Sequence, residues 1–245
     1  MMNKERLENI KSDLDRSRSR LQQIKSCLEL SPEKLCGRLT SQKTKIFCVG
    51  FNKTGTTSTA VALAELGFNV APQAPAEMLI KDWGQRKFDR ILDFCGQFDA
   101  FQDIPFSLPY TFIALDLAFP NSKFVLTIRD SPEMWFESLH RYHCNLFSFD
   151  KTINWSDLEK AEYCYKGWIA ETHKLIFQAD QQSLFDCKKY QDIYILHNKT
   201  VKDYFKHKSD ALLVINPSES NSYLKLCDFL SKSPIRDKYP HVNRS

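Results

Sequence analysis

The chain has 245 residues, of which 42% are apolar and 26% are charged, and its formal net charge is +4. This length and apolar content fit one α/β domain with an extension better than two full domains. The weak positive excess suits an anionic small molecule and does not indicate nucleic acid, which usually requires a clustered basic stripe. A membrane span is not expected either, because no apolar run approaches the roughly 18 residues that a span needs.

The amino terminus and the cysteines indicate the compartment. The chain begins Met-Met-Asn-Lys-Glu-Arg, which is charged from the start and unlike a secretory leader. Eight cysteines are spread along the chain without a Cys-x-x-Cys pair, so a structural zinc site is not expected. We therefore interpret them as reduced core thiols of a cytoplasmic protein.

Residues 1–44 are predicted to form a helical extension and a linker. Within residues 4–28, apolar side chains recur at alternating steps of three and four on a charged helix, which is the pattern of a heptad seam. Two uses of this stripe stay open, namely packing on the following domain and formation of a homodimer. Packing is favoured, because the seam covers only about three and a half heptads and Ser17 interrupts it.

A compact domain is predicted over residues 45–245, and its strands alternate with helices. Short apolar runs bounded by polar residues predict buried strands at 46–51, 98–102, 123–128 and 211–215. Helices are predicted at 57–66, 109–119, 132–146, 156–179, 199–205 and 222–230. This alternation implies an α/β fold in which a parallel sheet is covered on both faces.

A loop suited to phosphate follows the first predicted strand. Residues 50–58 read Gly-Phe-Asn-Lys-Thr-Gly-Thr-Thr-Ser and lead into a predicted helix. Such a loop exposes backbone N–H groups at the positive end of a helix dipole, and Lys53, Thr56 and Thr57 add a charge and hydroxyl donors. A Walker A loop carries its lysine directly after the second glycine, whereas Gly55 is followed here by Thr56. The spacing argues against a kinase or an ATPase.

A second candidate phosphate site spans residues 123–138, Lys-Phe-Val-Leu-Thr-Ile-Arg-Asp-Ser-Pro-Glu-Met-Trp-Phe-Glu-Ser. Arg129 ends the clearest predicted strand, and Ser138 lies about two turns into the next predicted helix. A guanidinium that can make two parallel hydrogen bonds, with a hydroxyl nearby, suits a terminal phosphate.

Together the two motifs resemble those of the sulfotransferases. Residues 53–57, Lys-Thr-Gly-Thr-Thr, match the Lys-x-Gly-Thr-Thr core of the family's 5′-phosphosulfate loop, and residues 123–138 are similar to its 3′-phosphate element. Ser138 lies nine residues after Arg129, where eight is usual in the family, and one extra residue in the turn can absorb the difference. The resemblance, which is to members of bacterial type, covers roughly residues 45–243.

This resemblance implies a P-loop-like, three-layer α/β/α fold and in-line transfer of a sulfuryl group from 3′-phosphoadenosine 5′-phosphosulfate to a hydroxyl, with no metal required. The product nucleotide would be adenosine 3′,5′-bisphosphate. Lys53 would be catalytic, contacting the 5′-phosphate and the bridging oxygen as the leaving group gains charge. The expected donor ligands are Asn52, Lys53, Thr54, Gly55, Thr56, Thr57, Ser58, Arg129 and Ser138.

Asp103 is the candidate catalytic base. In sulfotransferases a histidine or an acidic residue often stands near the end of a central strand, shortly before a proline, and Asp103 has that position in Gln-Asp-Ile-Pro. An exposed carboxylate is a weak base, but burial beside the donor's anionic groups would strengthen it. The alternative is that Asp103 caps a turn or orients Lys53. His140 and His143 are the next candidates, and they share a helix face with Cys144 without the spacing of a metal site.

The acceptor stays open in the sequence, beyond being a small-molecule or carbohydrate hydroxyl. Its pocket is predicted in variable loops within residues 72–95 and 140–195. One family feature is missing, because residues 216–221 lack the glycine-rich basic loop that covers the nucleotide in many cytosolic members. Two other function classes remain: a P-loop small-molecule kinase, and a non-catalytic nucleotide-binding or assembly protein of the same fold.

Overall fold

The computed structural model describes residues 44–147 and 152–242. The heptad stripe of the predicted extension lies outside these residues, so packing and dimerisation through it both stay predictions. Within the two described ranges, every helix is too short or too polar to cross a lipid bilayer.

A parallel sheet forms the centre of the described part of the chain. Its strands follow the order β2-β1-β3-β4, and each neighbouring pair is parallel. The bounds are β1 Ile46–Cys48, β2 Ala100–Phe101, β3 Lys123–Thr127 and β4 Leu212–Ile215. All four lie inside the predicted runs, and the α/β fold class with a central parallel sheet is confirmed.

Helices cover this sheet. The first six are α1 Thr56–Glu65, α2 Gln73–Glu77, α3 Ile80–Gly84, α4 Asp89–Cys95, α5 Thr111–Ala118 and α6 Pro132–Phe147. The later ones are α7 Trp155–Lys160, α8 Trp168–Phe177, α9 Cys187–Phe205 and α10 Ser222–Phe229, with a short 3₁₀ turn at Ser209–Ala211.

Alternate residues of β1 enter two separate buried clusters, because successive side chains of a strand point to opposite faces. Ile46 packs in a cluster with residues of α1 and α10. Phe47 packs in a larger cluster formed with residues of α5, α6, α8 and α9. The sheet is therefore the middle of three layers.

Two predicted helices differ from the structure. The helix predicted at 156–179 is broken between α7 and α8, where Gly167 has φ 79°, a left-handed conformation that glycine adopts without strain. The helix predicted at 199–205 is the last part of α9, which begins after Asp186 caps the Lys189 N–H with its side chain. The stretch 72–95, expected to be variable loop, contains α2, α3 and α4.

Candidate functional site

The loop between β1 and α1 is held tightly against β3. A Cβ on Gly50 would lie 2.2 Å from the carbonyl oxygen of Thr127, so only glycine permits this approach. The Thr54 hydroxyl donates to the Phe51 carbonyl at 2.5 Å and lies 2.6 Å from the Thr127 hydroxyl. The side chain of Thr54 thus fixes the loop to the sheet, and Thr54 does not line the cavity beside the loop.

The loop then turns through two left-handed residues, Lys53 with φ 67° and Gly55 with φ 97°, and ends at the first turn of α1. The N-cap residue is Gly55, which makes no side-chain cap. The first N–H groups of a helix have no acceptor within the helix, so those of Thr56, Thr57 and Ser58 are available to an anion. The structure therefore supplies the backbone arrangement that a phosphate loop needs.

The phosphate loop and the first turn of α1 border a cavity of about 630 Å³. Its far wall comes from residues between 73 and 77 and between 139 and 177, which are parts of both stretches predicted to build the acceptor pocket. The sequence-predicted site residues that line it are Asn52, Lys53, Gly55, Thr56, Thr57, Ser58, Asp103 and Arg129.

The two motifs meet through Arg129. Its Nε donates to the carbonyl oxygen of Lys53 at 2.7 Å, and its backbone N–H donates to the Tyr194 hydroxyl at 3.0 Å. The Trp135 indole donates to the carbonyl of Asn52 at 3.0 Å, which ties α6 to the same loop. The two terminal nitrogens of Arg129 make no hydrogen bond to the residues that the structure describes, and the residue lines the cavity.

Ser138 has a different setting from Arg129. It lies in the second turn of α6, which runs from Pro132 to Phe147. Ser138 is 3% exposed and does not line the cavity. Its hydroxyl makes no hydrogen bond within residues 44–147 and 152–242. Its contact with a 3′-phosphate stays a prediction, and that contact would need the hydroxyl to reach the cavity.

Asp103 follows β2 and faces the phosphate loop. It has φ 61° and is 7% exposed. One carboxylate oxygen accepts from the Thr56 hydroxyl at 3.2 Å and the other accepts from the Ile104 N–H at 2.9 Å. The carboxylate lines the cavity, so the geometry suits a base and also suits a group that orients the loop.

Lys53 is a partly buried cation inside the cavity. Burial is the largest influence and lowers the pKa of its ammonium group. The negative charge of Asp103 opposes this shift, whereas the positive charges of Arg129 and Arg141 add to it. The site is therefore arranged so that an anion beside Lys53 would be strongly attracted.

A family model described as a sulfotransferase domain matches residues 45–245, which is most of the chain. The chain belongs to the sulfotransferase family. No curated protein sequence matches it significantly. Family membership implies a transferase and suggests sulfuryl transfer.

Two histidines form a hydrogen-bonded, buried chain at the cavity wall. His143 Nδ1 lies 2.8 Å from the Leu139 carbonyl, His143 Nε2 lies 3.3 Å from His173 Nε2, and His173 Nδ1 lies 2.6 Å from the Tyr190 hydroxyl. A carbonyl only accepts, so His143 donates from Nδ1 and accepts at Nε2 from His173, which in turn accepts from Tyr190. Burial lowers the pKa of His143 to about 4. Both His143 nitrogens are engaged, which weakens it as the alternative base.

The carboxyl-terminal segment of the sulfotransferase domain borders the phosphate loop. Val242 lines the cavity and donates its N–H to the Ser58 hydroxyl at 3.3 Å. The Tyr239 hydroxyl lies 2.9 Å from the Thr59 hydroxyl. This segment therefore forms the part of the cavity wall that lies next to the phosphate loop.

Sequence reasoning missed several residues of the cavity wall, namely Glu77, Tyr142, Tyr163 and His173. A signal existed for Glu77, because it is the only charge in the run Ala-Pro-Ala-Glu-Met-Leu-Ile. The others carry no local mark that separates a cavity wall from a core. Across the described parts of the chain, no three His, Cys, Asp or Glu side chains are grouped as metal ligands would be.

Proposed function

We propose that this chain transfers a sulfuryl group from 3′-phosphoadenosine 5′-phosphosulfate to the hydroxyl of an acceptor. The observation that carries the proposal is the hydrogen bond from Arg129 Nε to the Lys53 carbonyl, which joins two motifs 76 positions apart at one cavity. One motif is suited to a 5′-phosphosulfate and the other to a 3′-phosphate, so their meeting matches a donor with both groups.

The residues at the cavity fit such a donor. The uncapped start of α1 and the Lys53 ammonium offer donors for one anionic group. The terminal nitrogens of Arg129 offer a fork for a second. The volume of about 630 Å³ lies within the usual range for ligand sites, roughly 300–1,000 Å³.

The donor supplies an activated sulfuryl group, and the roles of the chain are positional and electrostatic. Lys53 stabilises the negative charge that develops on the leaving-group oxygen. Asp103 accepts the proton of the acceptor hydroxyl as that oxygen forms its bond to sulfur. Thr56, which donates to Asp103, holds the carboxylate against the phosphate loop. Catalysis then depends mainly on orientation of the two substrates.

Sequence grounds alone support three further parts of the proposal. These are a cytoplasmic location, a small-molecule or carbohydrate acceptor, and possible pairing through the stripe in residues 1–44.

The direct test is transfer of labelled sulfuryl from the donor to a mixture of hydroxyl acceptors, with and without EDTA. We expect transfer in both, because no metal has a role in the proposal. Phosphoryl transfer from ATP that EDTA abolishes would support the kinase alternative. Tight binding of the product nucleotide, without transfer to any acceptor, would support the non-catalytic alternative.

A further inference from the structure

The loop between β4 and α10 supports the phosphate loop and does not cover the cavity. It spans residues 216–221, where many cytosolic sulfotransferases carry a glycine-rich basic loop over the nucleotide. Its Pro217 packs against the phosphate loop so closely that a Cβ on Gly55 would lie 2.9 Å from Pro217 Cγ. In the described structure none of these six residues lines the cavity, so another element has to contact the nucleotide on this side.

The carboxyl-terminal segment, residues 239–242, reaches the cavity instead. Beyond α8, Val242 is the one residue of the described chain that lines it. Two basic residues of the same part of the chain, Lys225 and Arg236, form ion pairs with surface glutamates and stay outside the cavity wall. The contact that this part of the chain offers to a ligand is therefore apolar.

Hydrogen bonds fix both ends of the carboxyl-terminal segment on the first turns of α1. The Thr59 hydroxyl donates to the Gly55 carbonyl at 3.0 Å, so it accepts from the Tyr239 hydroxyl at 2.9 Å. Tyr239 is 4% exposed and belongs to the buried cluster between the sheet and α1. Three residues later, Val242 donates its N–H to the Ser58 hydroxyl at 3.3 Å. The position of Val242 beside the phosphate loop is thus set by the fold.

The side chain of Val242 is apolar, and 38% of the residue is exposed. The residues attributed to the acceptor pocket lie in α2, α6 and α8 or next to them, whereas Val242 is bonded to α1, where the 5′-phosphosulfate is proposed to bind. Of the parts of the donor, its phosphates and ribose hydroxyls require polar partners, and the faces of its adenine do not. Contact between Val242 and adenine would remove apolar surface of both from water.

We propose that Val242 is a donor-binding residue that packs against the adenine of the sulfuryl donor. The carboxyl-terminal segment then takes over the contact with the nucleotide that the loop at 216–221 does not make. This inference rests on the proposed sulfotransferase function. Adenine is unchanged by transfer of the sulfuryl group, so the contact stabilises substrate, transition state and product equally. It therefore acts on nucleotide affinity and on the donor KM.

The test is calorimetry with adenosine 3′,5′-bisphosphate and with its abasic analogue, in which hydrogen replaces adenine. We expect Val242→Ala to weaken binding of the bisphosphate by about three- to tenfold and binding of the abasic analogue by less than about twofold. The loss in kcat/KM for the donor should appear in KM. Val242→Ile keeps an apolar side chain and should bind the bisphosphate as the unaltered protein does.

Ile235→Ala is the matched control, because Ile235 is an apolar residue that is 61% exposed and lies outside the cavity wall. It should change the affinity for neither ligand. Unchanged bisphosphate binding by Val242→Ala would overturn the inference. So would an equal loss for both ligands with a lower melting temperature of the free protein, since the segment would then only support α1. An unaltered protein that neither binds the bisphosphate nor transfers sulfuryl would instead contradict the proposed function itself.

Discussion

The ammonium nitrogen of Lys53 lies 3.9 Å from the centroid of the Tyr142 ring. Lys53 comes from the phosphate loop and Tyr142 from α6, the helix that follows the arginine motif. A cation over a tyrosine face is attracted by the ring quadrupole. The ring thus holds the lysine inside the cavity, where burial lowers the pKa of its ammonium group.

Removal of this ring should weaken catalysis without abolishing it. We expect Tyr142→Leu to lower kcat by about two- to thirtyfold, because a cation–π contact contributes roughly 0.5–2 kcal/mol. Tyr142→Phe is the matched control and should keep most of kcat, since it retains a ring face. Steady-state kinetics check both, and a loss as large in Tyr142→Phe as in Tyr142→Leu would contradict a role for the ring face.

Lys53→Ala should reduce turnover more than it weakens nucleotide binding. The expected loss in kcat is about 10²–10³-fold, the size seen when a group that stabilises developing charge is removed. Kinetics and calorimetry with the product nucleotide measure the two effects separately. Lys87→Ala, at an exposed position, serves as the control. If turnover and nucleotide binding fall by the same factor, Lys53 only binds the donor and does not act on the transition state.

Asp103→Asn keeps the size of the side chain and removes its ability to take a proton. If Asp103 is the base, turnover should fall by about 10²–10⁴-fold while product-nucleotide binding stays nearly unchanged. The loss should be smaller for acidic phenols, which arrive already ionised. Asp99→Asn, outside the cavity, is the control.

Two other outcomes for Asp103→Asn would reject the base. A variant that melts early and loses nucleotide binding would show a structural carboxylate that orients Thr56 and the loop. Near-normal turnover would require another base, and His143 is poorly placed for that because Leu139 and His173 occupy its nitrogens.

Buried histidines should make the protein less stable in mild acid. Burial lowers the pKa of His143 and His197 to about 4, and it also lowers the pKa of His173 well below its usual value. In the unfolded chain these pKa values return to about 6.5, so between the two values the unfolded state binds more protons. The stabilising contribution of these neutral rings is therefore fully present above about pH 6.5 and is lost as the pH falls towards 4.

Urea denaturation at about pH 7 and pH 5.5 measures this loss. His143 and His197 together should lower the free energy of unfolding by about 2–3 kcal/mol between these conditions, and His173 adds to the loss. His197→Gln can still donate to the Val49 carbonyl, as His197 Nε2 does at 2.7 Å, and should remove the share that His197 contributes, about 1 kcal/mol. His207→Gln, at an exposed site, should leave it unchanged. An equal free energy of unfolding at both pH values would contradict the claim that these buried rings are neutral in the folded protein.

Local pattern was enough to predict the sheet and the phosphate loop. Each strand of the described sheet is a short apolar run between polar residues, and the lysine, glycine and threonines of the loop are contiguous in the chain. The break before Gly167 was missed, because a single glycine is tolerated within many helical patterns and only its left-handed φ reveals the interruption.

The acceptor side of the cavity could not be predicted in the same way. Glu77 meets Tyr163 across 86 positions, and His143 meets His173 across 30. Such contacts depend on how α2, α6 and α8 pack together, which periodicity does not specify. A helical pattern shows which face is buried, but not whether that face meets a core or a cavity.

Calorimetry with adenosine 3′,5′-bisphosphate, ADP and ATP tests the central claim most directly. If the loop and Arg129 hold the two phosphate-bearing ends of the sulfuryl donor, the bisphosphate should bind at least about tenfold more tightly than ADP or ATP. Arg129→Gln should remove most of that preference, whereas Arg90→Gln, on α4 and outside the cavity, should preserve it. Equal binding of ATP and the bisphosphate by the unaltered protein would contradict the assignment of the donor.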